Sequence, residues 1–436
     1  MQTLKGKYTD ATIYAETIEE EVYSQVYDII NNPAFKDQKV LLMPDTHCGK
    51  AGPIGLVATI GDYICPEHVG VDIGCTCSGM VLSKKMPVEK YADFEHKVKT
   101  KIPFGFVIHE HSINRDKEFY KFLTTKFHTY KMSWPEMLSD LPEHVTEKWV
   151  SDQLKRLNMD EGTFYKSIGT VGGGNHFIEY NESDDEKYPA MVTMHFGSRN
   201  FGVKVCKYWM SRATTGLSRK EIKEYTNYFK EIYQHFNGND MSKFKDALNI
   251  YLEDIKSKRI NGYLTGDDMK GYLQDMCFAQ SYASWNHLMT QSIIADILKK
   301  YNIKVTNIIE TTHNYVNLGD HTLRKSAITA YKNQLVLVPF NMRDGVAVCI
   351  GKGNEEWLNS CSHGAGRKMS RSAAKKNVDM EEFRNSMKDV YSTSVCESTL
   401  DESPMAYKDT DEIARIITDT VDIICFMKPK INIKAI

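Results

Sequence analysis

A chain of 436 residues, 42% of them hydrophobic, can hold about two or three domains and carries enough apolar material for a sizeable core, which excludes a disordered chain. Its formal net charge of -2 excludes a globally basic polymer-coating protein, so a nucleic-acid site has to be a local basic patch, such as Arg324-Lys325 or the run 367–376. Residues 1–7 lack an apolar signal core, no apolar span of about 18 residues is uninterrupted, and the ten cysteines follow no framework spacing; the expectation is a soluble, cytoplasmic protein with reduced thiols and no membrane partner.

In chain order, residues 9–31 carry apolar residues at helical spacing and predict a helix that Pro33 stops. Val40-Leu41-Leu42-Met43 predicts a buried strand feeding the loop Pro44-Asp45-Thr46-His47-Cys48-Gly49, and glycine and proline then punctuate short strands as far as Met80. Cys75 and Cys77 are too close for a routine disulfide and suggest one metal-binding or structural turn. Residues 88–157 are charged, aromatic and helically periodic, and predict covering helices; residues 218–300 predict a second helical insertion, with an apolar stripe over 276–289. Between them lie two glycine-bearing loops, at 166–180 and 191–202, with the polar run 181–187 as a strand connection. Strand patterns return at 303–311 and 335–338. A charged helix follows residue 370, another helix spans 407–422, and 431–434 forms a terminal strand or arm. Potential site residues are scattered from Asp45 to Lys434, and no linker intervenes. The fold class expected is therefore α+β, one interwoven domain over 1–436 with helices at the periphery.

The chemistry-bearing residues recur in one kind of setting. Val71-Asp72-Ile73-Gly74-Cys75 places a carboxylate and a thiol three residues apart beside a glycine. Thiolate suits a borderline-soft transition metal and carboxylate a harder one such as manganese. His176 follows Gly172-Gly173-Gly174-Asn175, His195 precedes Phe196-Gly197-Ser198-Arg199, and His313 precedes Asn314 at the end of a strand pattern. A single histidine is more often surface or satisfied core than ligand, but these share a loop setting with glycine or asparagine. His96, His109, His111, His128, His144, His235 and His287 fall in charged helical stretches and are expected on solvated faces; His47 and His68 are intermediate. In Ser362-His363-Gly364-Ala365-Gly366-Arg367-Lys368-Met369-Ser370-Arg371, a histidine stands beside flexible backbone and two arginines suited to phosphate. It could be a nucleophile, a general base, a metal ligand or merely a capping residue.

These motifs resemble the RtcB family of RNA ligases, and the chain is similar to a divergent bacterial-type member. The matching stretches are Asp45-Thr46-His47, Gly70-Val71-Asp72-Ile73-Gly74-Cys75, Gly169-Thr170-Val171-Gly172-Gly173-Gly174-Asn175-His176-Phe177-Ile178-Glu179, His195-Phe196-Gly197-Ser198-Arg199, His313-Asn314, Arg324-Lys325 and His363-Gly364-Ala365-Gly366-Arg367, in the family's order. For the fold, the resemblance implies mixed or antiparallel sheets around a central metal cleft. For the activity, it implies joining of RNA 3′-phosphate or 2′,3′-cyclic phosphate ends to 5′-hydroxyl ends, with GTP and one or two Mn²⁺ ions as cofactors, in RNA repair or tRNA splicing. It implies Asp72, Cys75, His176, His195 and His313 as metal ligands, with Cys75 between two ions, and His363 as the nucleophile that becomes covalent histidine–GMP. Asn175, Asn314, Pro339, Met342, Gly364, Ala365 and Gly366 would approach the nucleotide, Glu179 its guanine, and Lys434, five residues after Pro429, would reach it from the C-terminal end. Arg199 and Arg367 are expected to grip RNA phosphates, and an archease-type activator is an open partner.

Departures from the family pattern fall mainly on the base-reading run. Pro339-Phe340-Asn341-Met342-Arg343-Asp344-Gly345-Val346 carries Phe340 and Asn341 in place of a small pair, and Val346 in place of a serine. Phe340 offers a ring to stack on a base and Asp344 an acceptor for guanine. Gly74 replaces a usual asparagine, and Ser326 a common glycine. The competing readings are a metal-dependent cyclic-phosphate phosphoesterase and a non-catalytic RNA-binding paralogue.

Overall fold

A computed structural model describes residues 1–113, 117–215 and 262–436. The fold is α+β, organised by two sheets. The first has six strands in the order Gln2–Lys5, Asp10–Ile13, Val40–His47, Ile54–Thr59, Thr322–Lys325 and Tyr315–Asn317, antiparallel except for the parallel pairing of Asp10–Ile13 with Val40–His47. The second has seven, all antiparallel, in the order Val305–Thr312, Thr76–Leu82, Ala190–Phe196, Phe177–Glu182, Val421–Ile433, Val346–Gly351 and Leu335–Pro339.

Side chains alternate across this second sheet, as strand geometry requires. Val192, Met194 and Phe196 face outward and pack with Ile178, Tyr180 and Ile431 against Phe94 and Val98 of the helix Tyr91–Lys101 and Ile294, Ile297 and Leu298 of the helix Gly266–Lys299. Their neighbours turn inward, where Cys77, Met191, Leu337, Val346, Val348 and Met427 form a separate apolar cluster. The strands at the two ends of the pairing order also meet, because the Leu337 amide donates to Thr311 Oγ1 at 2.9 Å. The sheet thus curls around its inner face.

The expected covering helices over 88–157 are present as Tyr91–Lys101, Lys117–Ser133, Pro135–Leu138 and Glu147–Arg156. Of the helical expectation over 218–300, residues 218–261 lie outside the described residues, His235 among them, and the remainder contains the 34-residue helix Gly266–Lys299. The run 181–187 joins two antiparallel strands.

Three expectations change. Residues 9–31 are not one helix: Asp10–Ile13 is a strand with Ala11 paired to Val40, and only Glu20–Ile30 is helical. Four residues of periodicity are too few to outweigh a strand partner. The helix over 407–422 shortens to Thr410–Ile417, where the Asp409 carboxylate caps the amides of Asp411 and Glu412. Beyond it runs a 13-residue strand, Val421–Ile433, whose last three residues are those of the expected terminal strand. Finally, Arg324-Lys325 is no surface patch: Arg324 is fully buried, held by Asp320, Ser360 and the Leu358 carbonyl, and Lys325 donates to the backbone of Ala51 and Gly52. Among the described residues, no helix is long and apolar enough to cross a membrane.

Candidate functional site

The antiparallel order of the curled sheet places four strand ends at one edge. Cys75 directly precedes Thr76–Leu82, His176 precedes Phe177–Glu182, His195 is next to last in Ala190–Phe196, and His313 follows Val305–Thr312. Pairing is in register, with His195 opposite both Cys77 and Phe177, so residues far apart in sequence converge. Hydrogen bonds fix the turns that carry them. The His313 amide donates to the Cys75 carbonyl at 2.8 Å, the Gly74 amide to the Asn314 carbonyl at 2.9 Å, and Asn314 Nδ2 to the Asp72 carbonyl at 3.1 Å. Gly74 has φ +70° and no room for a side chain, since a Cβ would strike the backbone of Gln280. Asn286 of the long helix bonds the amides of Gly169 and Thr170 and the carbonyls of Thr170 and Gly197, tying the two glycine loops together.

The result is two groups of potential metal donors that share one sulfur: Cys75, His195 and His313, and Asp72, Cys75 and His176, with the donor atoms of each group within 4.8 Å of one another. His195 Nε2 faces His313 Nε2 at 3.2 Å, and His176 Nε2 meets Asp72 Oδ2 at 2.9 Å. Burial, then the neighbouring histidines, push His195 and His313 well below the usual imidazole range, so both rings are neutral and offer lone pairs. Burial, then Asp72, push the Cys75 thiol well up. A cation would displace that proton, because the thiolate is the ligand. Two imidazole nitrogens turned on each other beside a sulfur and a carboxylate fit a borderline transition-metal ion. Cys77 is not part of this set; it belongs to the inner apolar cluster.

His363 arrives from the other sheet's side. It follows the short strand Ser360–Ser362, and its ring lies 4.8 Å from that of His313. Its Nδ1 donates to Asp45 Oδ2 at 2.7 Å, and Asp45 is fully buried on Val40–His47. Gly366, at φ +74°, permits the close approach, since a Cβ there would collide with the Asp45 carbonyl. A neutral ring that donates through Nδ1 leaves Nε2 with a free lone pair. The sequence motif contains Asp45 but gives it no role; only the fold brings it to a residue 318 positions away.

A cleft of about 620 Å³ joins these parts. Of the expected nucleotide residues, Asn175, Glu179, Pro339, Met342, Gly364, Ala365, Gly366 and Lys434 line it, as do His195, His363 and Arg367. Asn314 and Arg199 do not. Asn314 braces the Asp72 turn and accepts from the Ser326 amide, while Arg199 donates to Thr170 Oγ1 and the Gly105 carbonyl. Ser326 sits at φ +52°, which accounts physically for a glycine preference at that position. Asp344 does not line the cleft; it accepts from Arg343, Asn341 and Thr410. His287, expected on a solvated face, is fully buried, with Nε2 donating to the Phe196 carbonyl, Nδ1 accepting from Ser78, and its ring stacked on Phe196.

Glu402 escapes sequence reasoning because nothing near it marks a site. It is 2% exposed and lies behind the cleft wall, where it meets four lining side chains: Arg367 at 3.5 Å, Lys434 at 3.3 Å, Tyr407 at 2.7 Å, and Arg371. Arg367 also donates to the carbonyls of Met369 and Asp401. Burial works against the Glu402 charge, but Lys434, Arg371 and Arg367 hold its pKa at about 2, against an ordinary 4.5. A depressed pKa stabilises the fold above the unfolded value and loses that contribution as pH falls through the folded one, here about 3 kcal/mol between roughly pH 4.5 and 2. Glu402→Gln is therefore expected to be less stable than the parent near neutrality, with the gap closing in acid. Urea unfolding across that range measures it, and a gap independent of pH would contradict the assignment.

A family model described as "tRNA-splicing ligase RtcB" matches residues 25–435. The chain is 28% identical to the RNA-splicing ligase RtcB of Escherichia coli K12, over 96% of this chain and 95% of that protein. It is 23% identical to RNA-splicing ligase RtcB2 of Escherichia coli ATCC 25922, over 96% and 93% respectively. With the tRNA-splicing ligase RtcB of Nanoarchaeum equitans it shares 23% identity over 86% of this chain and 83% of that one. The match covers the whole seven-stranded sheet, four of the six strands of the other, both donor groups and His363, and the chain belongs to the RtcB family of tRNA-splicing ligases.

Proposed function

We propose that this chain is an RNA ligase that uses GTP and Mn²⁺ to join RNA 3′-phosphate or 2′,3′-cyclic phosphate ends to 5′-hydroxyl ends, with residues 1–436 as one catalytic domain. The observation that supports it most is the His363 ring, fixed through Nδ1 by buried Asp45 and standing 4.8 Å from the ring of a metal-donor histidine. One or two Mn²⁺ ions held by Asp72, Cys75, His176, His195 and His313 would neutralise charge on the transferring phosphate.

His363 Nε2 attacks the α-phosphorus of GTP. The nitrogen–phosphorus bond forms, the bond to the α–β bridging oxygen breaks, and pyrophosphate leaves. An oxygen of the RNA 3′-phosphate then takes the GMP, giving RNA-(3′)pp(5′)G and restoring the imidazole. Finally the 5′-hydroxyl attacks the RNA phosphorus and GMP leaves. A cyclic phosphate is first opened by water in the same cleft. Asn175 and the 364–366 loop attend the phosphates, Pro339 and Met342 the cleft wall, Glu179 the guanine, and Lys434 the nucleotide from the C-terminal strand. Asn314 acts through the turn that carries Asp72. Arg199 and Arg367 are assigned to RNA phosphates, Arg367 by exchanging part of its Glu402 contact. The setting is RNA repair or tRNA splicing.

The test is incubation with radiolabelled GTP and Mn²⁺, then with RNA bearing a cyclic phosphate and a 5′-hydroxyl. An acid-labile protein–GMP adduct and a joined product are expected. Opening of the cyclic phosphate with no joining would favour the phosphoesterase, and no adduct would sink the ligase. Asp45→Asn is expected to slow adduct formation roughly 100-fold, because the amide can present its N–H to His363 and favour the wrong tautomer. Single-turnover rates measure this, and a rate equal to the parent's would remove Asp45 from the mechanism.

A further inference from the structure

The inner face of the curled sheet carries polar residues beside its apolar cluster. Strand Val421–Ile433 pairs with Phe177–Glu182 so that Asn432 stands opposite Glu179, and both line the cleft. Asn432 is 1% exposed and Glu179 2%. Asn432 Nδ2 donates to Glu179 Oε2 at 2.6 Å, which orients the amide. What remains is a pair of oxygens, Asn432 Oδ1 and Glu179 Oε1, both buried and neither with a hydrogen-bond partner; burial raises the Glu179 carboxyl to about 8, and an N–H donor set against it would favour the ionised, accepting form. An unsatisfied buried acceptor costs about 1–3 kcal/mol, so two on paired residues that line a cleft call for donors from outside the chain. Lys434, the nearby cation, is engaged by Glu402 at 3.3 Å.

The run that the family pattern would use on the base has little left to offer. Asp344 is saturated, Asn341 accepts from the amides of Arg343 and Asp344 and donates to Asp344, and Val346 is buried in a strand without a hydroxyl.

We propose that Asn432 is a specificity-determining residue, which with Glu179 forms a double-acceptor edge selecting a purine with two adjacent N–H donors. Guanine presents that pattern at N1–H and the 2-amino group. Hypoxanthine keeps N1–H and lacks the amino group, and adenine sets an acceptor at N1 beside its 6-amino donor. A base contact of this kind discriminates by about 1–3 kcal/mol, or roughly 5- to 150-fold. The inference rests on the nucleotide reading above and deepens it.

The experiment compares GTP, ITP and ATP on the full chain with Mn²⁺, reading binding by calorimetry and adduct formation separately. Variants are Asn432→Val, which removes the acceptor, and Asn432→Thr, which keeps one. The parent is expected to prefer GTP over ITP by roughly 5- to 150-fold and to reject ATP more strongly. Asn432→Val should lower the GTP response far more than the ITP response, so that the ratio collapses toward one, and Asn432→Thr should restore part of it. Equal losses with GTP and ITP, or an unchanged ratio, would overturn the role of Asn432. Guanine-selective binding that depends on Asn432 but yields no adduct would support the base edge and overturn the reaction. An adduct with no GTP-over-ITP preference would do the reverse, and no nucleotide binding at all would overturn both.

Discussion

His363→Ala is expected to abolish the covalent GMP adduct and, with it, RNA joining, while leaving the bound metal in place. The nucleophile cannot be replaced by a neighbour: His195 and His313 turn their Nε2 atoms on each other, and His47 has its Nδ1 within 2.8 Å of the Asp45 carbonyl and a pKa that burial lowers to about 4. Loss of a covalent nucleophile costs on the order of 10⁴ or more in rate, beyond what positioning by the remaining cleft recovers. The substitution also strips buried Asp45 of its donor, at about 1–3 kcal/mol, so the comparison needs His363→Asn as a second variant able to donate to Asp45 without attacking phosphorus. Labelled-GTP transfer and metal content, measured on the same preparation, give the answer. An undiminished adduct in both variants would move the nucleophile elsewhere. Loss of metal along with the adduct would instead make His363 a ligand, which the two donor groups do not include.

How far the site is legible in the sequence depends on what each residue advertises. Asp72, Cys75, His176, His195 and His313 are visible because metal-donor types in glycine- or asparagine-bearing loops are a local signal. That four of their segments meet at one sheet edge is a matter of register, which a single sequence does not encode locally. His287 departs from its expectation because the helix Gly266–Lys299 carries charge at its ends but is buried along its middle, where Met276, Phe278, Tyr282 and Trp285 are buried as well. Arg324 looks like a phosphate patch because its composition is that of one; its partners, Asp320, Ser360 and Leu358, include two lying more than 30 positions away. Asp45, Glu402 and Asn432 share a further reason for carrying no role in the sequence. Each is tied to the cleft by tertiary contacts, with His363, with the cleft cations and Tyr407, or with Glu179, and an isolated Asp, Glu or Asn carries no sign of that. The strand Asp10–Ile13 fails for the same cause at the level of fold, since its state is set by Val40–His47 rather than by its own spacing.

Cys75→Ala is expected to have an effect larger than that of removing any one histidine, because its sulfur is the only donor common to both groups. His195→Ala takes one ligand from one group and leaves Asp72, Cys75 and His176 intact; Cys75→Ala leaves each group with two donors. A first ligand exceeds an outer-shell partner in importance, so affinity should fall by at least about 100-fold at both positions. Metal-to-protein ratios after Mn²⁺ loading and gel filtration should then show most of the metal gone in Cys75→Ala and part of it retained in His195→Ala. The proton balance offers an independent check. Burial and Asp72 hold the thiol protonated well above the usual range until a cation arrives, so loading the parent near neutrality releases a proton that Cys75→Ala cannot release. Equal metal retention in the two variants, with equal proton release, would mean that the sulfur is not shared. The cleft would then hold a single ion between His195 and His313, and Asp72 with His176 would be left as an ion pair bracing the turn.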